Sequence, residues 1–98
     1  MGEDILRLYS DGGYGEILME QVVTILPKPR IIRLPGAPEG IAGLLGFEDG
    51  LIAVRYLDGA AHKESFECAV IVSDADNRRW GVLADEMTGG GRIDSVYG

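Results

Sequence analysis

Cysteine and histidine are close to absent from this sequence. Its single cysteine, Cys68, excludes an intrachain disulfide, and its single histidine, His62, sits in a polar stretch without evident partners for catalysis or metal binding. Basic residues are scarce as well: 9 lysines and arginines stand against 16 aspartates and glutamates, a formal net charge of −7. A nucleic-acid binder needs a cationic footprint to release counterions from phosphates, and an anionic membrane repels a chain of this charge. The one tight basic cluster, Arg78-Arg79, lies close to Asp74 and Asp76. No apolar run approaches the ~20 residues that a membrane-spanning helix requires. The chain opens on Gly2-Glu3-Asp4, with no basic stretch followed by an apolar one. These absences predict a cytoplasmic protein that neither binds nucleic acid nor inserts into a membrane.

What the sequence does contain is punctuation and strand-length apolar runs. An apolar content of 46% over 98 residues suits one domain with a modest core. Fifteen glycines and four prolines favour many short strands over long helices. Two runs rich in Leu, Ile, Val, Phe and Tyr, Ile41–Phe47 and Leu51–Leu57, flank Glu48-Asp49-Gly50. The spacing predicts a β-hairpin whose Asp-Gly pair makes the reversal, because glycine accepts a positive φ without steric cost.

The remaining chain divides in the same way. Ile5–Tyr9 is a predicted strand ended by Ser10-Asp-Gly-Gly13, and Tyr14–Met19 returns from that turn. Val22–Leu26 is β-branched and stops at Pro27, with a short helical turn over Gln21–Thr24 as the alternative. Prolines at 27, 29, 35 and 38 enclose a short extended piece, Ile31–Leu34, suited to a stiff connection across the outside of a barrel. Ala60–Ser65 is a polar loop or one helical turn. Phe66–Val72 and Trp80–Met87 are strands joined through Asp74–Arg79, and Arg92–Val96 is a last candidate strand. Six to eight closely spaced strands predict a small barrel or sandwich.

The chemistry-bearing side chains give no enzyme. Cys68 lies within an apolar strand and has no neighbouring base in the sequence, so it is expected to be a small buried hydrophobe. A thiol dyad with His62 is the least supported alternative. The carboxylate groups Glu48/Asp49, Asp74/Asp76 and Asp85/Glu86 lack the ordered spacing of a calcium loop. Adjacent Asp85 and Glu86 should face opposite sides of one strand. The glycine clusters at 11–13 and 89–91 lack the Lys-Ser/Thr of a phosphate loop. No cofactor and no metal are expected.

The ordered set Val22-x-x-Ile25, Leu34-Pro-x-Ala-Pro38, Gly43-Leu-Leu-x-Phe47, Leu51-Ile-x-Val54 and Trp80–Met87 resembles the CheW-like domain family over about residues 4–96. Members of that family are non-enzymatic adaptors of bacterial chemotaxis that link chemoreceptors to CheA-type histidine kinases. The resemblance implies an all-β architecture of two SH3-like barrels sharing strands, with binding through barrel surfaces and the groove between them. It implies as partners the regulatory domain of a histidine kinase and the cytoplasmic tip of a chemoreceptor. By position, Val22 and Thr24 match the family's receptor-facing strand and Glu48 matches an arginine used for partner contact. Leu44, Leu45, Val54, Val82 and Leu83 match core positions.

Three departures accompany the match. The family's Asn-x-Arg-Gly segment is replaced at Gly46, Glu48 and Asp49, which reverses the charge of the arginine position. Tyr56 stands where an acidic residue is common. Family domains continue further, through closing strands and a C-terminal helix, so residues 1–98 are expected to form a single truncated CheW-like domain with an incomplete second barrel. Open strand edges would then invite a homodimer. A self-associating or small-ligand-binding β-barrel with no chemotaxis role is the alternative function.

Overall fold

The structure, a computed structural model, describes residues 4–89. Nine strands occupy this range: β1 Ile5–Ser10, β2 Gly13–Leu18, β3 Val22–Pro27, β4 Ile32–Arg33, β5 Ile41–Phe47, β6 Gly50–Arg55, β7 Cys68–Ser73, β8 Arg79–Ala84 and β9 Glu86–Thr88. One short 3-10 turn, Met19–Gln21, leads into β3, and there is no α-helix among the described residues. The helical alternative for Gln21–Thr24 is therefore displaced one turn upstream. Arg92–Val96 lies outside the described residues.

The strands form two sheets. The larger has the order β3-β7-β8-β6-β5-β4, and the smaller the order β2-β1-β9. All pairings are antiparallel except β6 with β8, where Val54 is in register with Gly81. Strand β7 is buried at five successive residues, Cys68–Val72. A strand so covered must have a packed layer on each face, and two cores meet it from opposite sides. Cys68, Val70 and Val72 join Val82 and Ala84 against Leu6 and Leu8 of the small sheet. Ala69 and Ile71 join Leu83, Val54, Leu45 and Phe66 on the other face. Period-two alternation thus lets β7 and β8 serve both cores.

The turns show where the backbone departs from the sequence reading. The β1–β2 loop closes over Asp11-Gly12, and Gly12 takes φ +90°. In the central hairpin, however, Phe47 pairs with Gly50, so the loop residues are Glu48 and Asp49. The positive φ, +56°, falls on Glu48 and not on Gly50. The Asp-Gly signal located the hairpin but misplaced its tip by one residue, because Gly50 opens the return strand. A side chain in the left-handed region carries a steric penalty that glycine lacks. Glu48→Gly is therefore expected to raise the unfolding free energy by about 0.5–1 kcal/mol. The ion pair it gives up, Glu48 Oε1 to Arg79 Nη1 at 2.9 Å, is exposed on both sides and contributes little. A urea titration of the two proteins checks this.

A second correction concerns Trp80–Met87. The single predicted strand is two: β8 ends at Ala84, Asp85 crosses over, and Glu86–Thr88 joins the small sheet as β9. Asp85 and Glu86 therefore do not lie on opposite faces of one strand. The crossover is held by the Asp85 N–H, which donates to the Tyr9 carbonyl at 2.8 Å. The Asp74–Arg78 turn matches expectation: Asp74 Oδ1 accepts the backbone N–H groups of Asp76 and Arg78, the local bonding that suits aspartate to turns.

Candidate interaction surface

The larger sheet is covered on one face along only part of its width. Cross-strand neighbours share a face, so Val22, Val72 and Trp80, in register across β3, β7 and β8, form one row. The row continues through Ala53, which precedes Val54, to Leu44 and Ile32. Over β3, β7 and β8 the row lies beneath the small sheet, and Val22 and Trp80 pack against its core. Over β6, β5 and β4 it belongs to neither core. There Ile32 is 49% exposed, Leu34 41% and Leu51 58%. Gly46, opposite Leu51, adds no side chain to the patch. Leu44, expected in the core, belongs instead to this uncovered face because the bulge between Ile41 and Gly43 shifts the strand's register.

A groove of about 700 Å³ runs where β2 of the small sheet meets this surface, lined by Tyr14, Gly15, Arg55, Trp80, Tyr56 and His62 among others. The Arg55 guanidinium carbon lies 5.5 Å from the Trp80 ring centroid, within cation–π range. His62, exposed as predicted, stacks on Tyr56 with centroids 3.9 Å apart and planes 6° apart. Arg33 fixes this wall by donating to the Tyr56 hydroxyl at 2.9 Å and to the carbonyls of Lys63 and Glu64 at 2.9 and 2.8 Å.

Val22, Thr24 and Glu48 fall at one end of the larger sheet. Val22 is half-buried at the start of β3, and Thr24 follows a bulge at which Val23 is displaced from the ladder. Glu48 occupies the hairpin tip at the same end and pairs with Arg79 at the start of β8. None of the three bonds to another among the described hydrogen bonds, so they share an end without forming a cluster.

A second polar group, as connected as Arg33, is one that the sequence does not advertise. Asp85 Oδ2 accepts from the Ser10 hydroxyl at 2.8 Å and pairs with Lys63 Nζ at 2.5 Å, while Oδ1 accepts the Glu67 N–H at 3.2 Å. Lys63 also reaches Asp11 Oδ2 at 3.3 Å. Burial pushes the Asp85 carboxyl up, but the hydrogen bonds from Lys63, Ser10 and Glu67 and the Lys63 charge outweigh it and hold the group below its ordinary value. These residues come from β1, the 61–67 loop and the β8–β9 crossover, and no local spacing joins them.

The geometry does not assemble the thiol dyad. Cys68 Sγ contacts the Ala84 carbonyl at 3.5 Å, whereas His62 lies against Tyr56. Burial first, then the charges of Asp85 and Glu67, push the Cys68 thiol up to about 11, which disfavours the nucleophilic thiolate. Among the described residues no His, Cys, Asp or Glu group is placed to hold a metal ion. No described helix is long and apolar enough to cross a membrane.

Comparison with solved structures bears on the fold. The chain is similar in structure to the scaffolding protein TtCheW from Thermoanaerobacter tengcongensis, with a TM-score of 0.75 and 20% sequence identity, over 96% of this chain and 67% of that one. No family model matches the sequence, and no curated protein does. At that identity the match shows the fold: the chain is all-β with the CheW-like architecture that its sequence pattern implies.

Proposed function

On this CheW-like fold, we propose that the chain is a non-enzymatic adaptor in chemotaxis-type signal transduction. It acts in the cytoplasm as a single CheW-like domain over residues 1–98, bridging a chemoreceptor's cytoplasmic tip and the regulatory domain of a CheA-type histidine kinase. The observation that carries the reading is the half-covered sheet face. A row of apolar side chains that starts inside one core and emerges at Ala53, Leu44 and Ile32, flanked by exposed Leu34 and Leu51, is how a protein-binding surface is built. The likeness to TtCheW, a scaffolding protein, supports the same class of role. In this reading the β4–β6 face receives the kinase domain, and the end bearing Val22, Thr24 and Glu48 receives the receptor tip. A second copy of the chain is a further partner, through open strand edges.

The experiment is a titration against each partner from the same cell. Leu51→Asp places a charge on a side chain already exposed, so folding should be unaffected. Kinase-domain affinity is expected to fall about tenfold, with receptor-tip binding unchanged. Failure of the unaltered chain to bind either partner would overturn the proposal.

A further inference from the structure

We infer that β3 is a self-pairing edge, at which two copies of this chain join their larger sheets antiparallel about a two-fold axis at Ile25. The inference rests on edge geometry and holds or fails independently of the adaptor reading. Among the described residues, strand β3 is bonded on one side only, to β7. Exposed strand edges are normally blunted by short length, charge, proline or an overlying loop. Among the described residues, the other edges show such devices. β4 has two residues and lies between Pro29 and Pro35, and β9 has three. β2 carries Glu16 and is bridged to Asp58 through Tyr14. Residues Val22–Leu26 form an uncharged β-branched and apolar stretch, a composition that favours pairing. The bulge at Val23 interrupts the first part of the edge, and Pro27, with no N–H to donate, ends it. Thr24, Ile25 and Leu26 remain in regular register with Ile71, Val70 and Ala69.

A second copy fits this edge better than a charged foreign strand. Antiparallel pairing about Ile25 sets Thr24 opposite Leu26 of the other copy and Ile25 opposite itself, with no like charges facing one another. It carries Glu20, in the turn before β3, towards Arg30 beyond the end of the partner strand, Lys28 being paired with Glu67 of its own chain at 3.0 Å, and symmetry makes that contact twice. Beside Ile25 lies a cleft of about 420 Å³ between the sheets, lined also by Pro27, Cys68 and Met87, which a neighbouring apolar side chain can cover. Edge pairing would mask the strand bearing Val22 and Thr24 and leave the β4–β6 face open.

Sedimentation equilibrium at tens of micromolar is expected to give a dimer. Glu20→Lys, on an exposed residue, should weaken it about fivefold, and adding Arg30→Glu should restore it. Opposed residues of antiparallel strands lie within disulfide reach, so Ile25→Cys should self-cross-link about tenfold faster than Thr24→Cys. Cys68 is buried and does not compete. A monomer at these concentrations overturns the inference. So does a dimer indifferent to the charge exchange, or cross-linking from Ile32→Cys on β4 as fast as from Ile25→Cys. Circular dichroism on each variant separates lost pairing from lost folding.

Discussion

Leu83→Ala is expected to lower the unfolding free energy by about 3–5 kcal/mol. Leu83 is fully buried one residue from the end of β8, opposite Ala69 on β7, and packs in the core that contains Ile71, Val54 and Phe66. Its immediate cross-strand neighbour is already an alanine, so nothing large stands ready to fill the space. Collapse is further limited because β7 and β8 also hold the opposite core, whose side chains would have to move with them. For a domain stable by about 5–15 kcal/mol, this loss is a large fraction of the total. Urea unfolding should show a lower midpoint with little change in slope. Leu83→Met, which nearly conserves volume, should cost less than about 1.5 kcal/mol.

Asp85→Asn is the second large effect, expected at about 2–3 kcal/mol at neutral pH. The substitution keeps the shape but replaces one carboxylate oxygen with an amide NH2, which accepts nothing: at Oδ2 it loses Lys63 and Ser10, at Oδ1 it faces the Glu67 N–H, and in either orientation the charge opposite Lys63 is gone. The Asp85 side chain is 18% exposed, so water replaces the lost partners only in part. The pH dependence follows from the direction of its titration. A carboxyl held below its ordinary value in the folded chain contributes stability above the unfolded value, about 3.9, and loses it as the pH falls through the folded one. The gap between the two proteins should therefore be full at pH 7 and narrow only below about pH 4. Chemical denaturation at a series of pH values measures it. A gap independent of pH would place the contribution of Asp85 in shape and not in charge.

Local pattern made much of the fold legible. Apolar runs of strand length bounded by Gly, Pro and Asp located β1, β2, β3 and the β5–β6 hairpin within about two residues of where they lie. What escaped was set by distant contacts. The strand break at Asp85 has no glycine or proline to announce it, because the chain changes sheets there through bonds to Ser10, Lys63 and Tyr9. Leu44 matches a core position by resemblance, and the bulge before it turns it to the face opposite Ala42. Val22, Thr24 and Glu48 likewise rest on resemblance, whereas the Ile32–Leu44–Ala53 row requires the register of three strands. Identity of residues along the chain does not state which half of a sheet its neighbour leaves bare.

The place of β1 has a consequence for how the protein is made. β1 is the middle strand of the small sheet, and its outer partner β9 is the last strand described, with Arg7 opposite Thr88. A lone two-stranded hairpin is marginal in water, and Leu6 and Leu8 find their core only when Val82 and Ala84 arrive on β8. During synthesis the β1–β2 hairpin therefore leaves the ribosome well before the strands that fix it. Such distant pairing slows folding and prolongs exposure of apolar surface. The β5–β6 hairpin, to which β4 adds a third strand, can settle while the chain is still growing. The domain assembles from its middle outward, and β1 waits for β9.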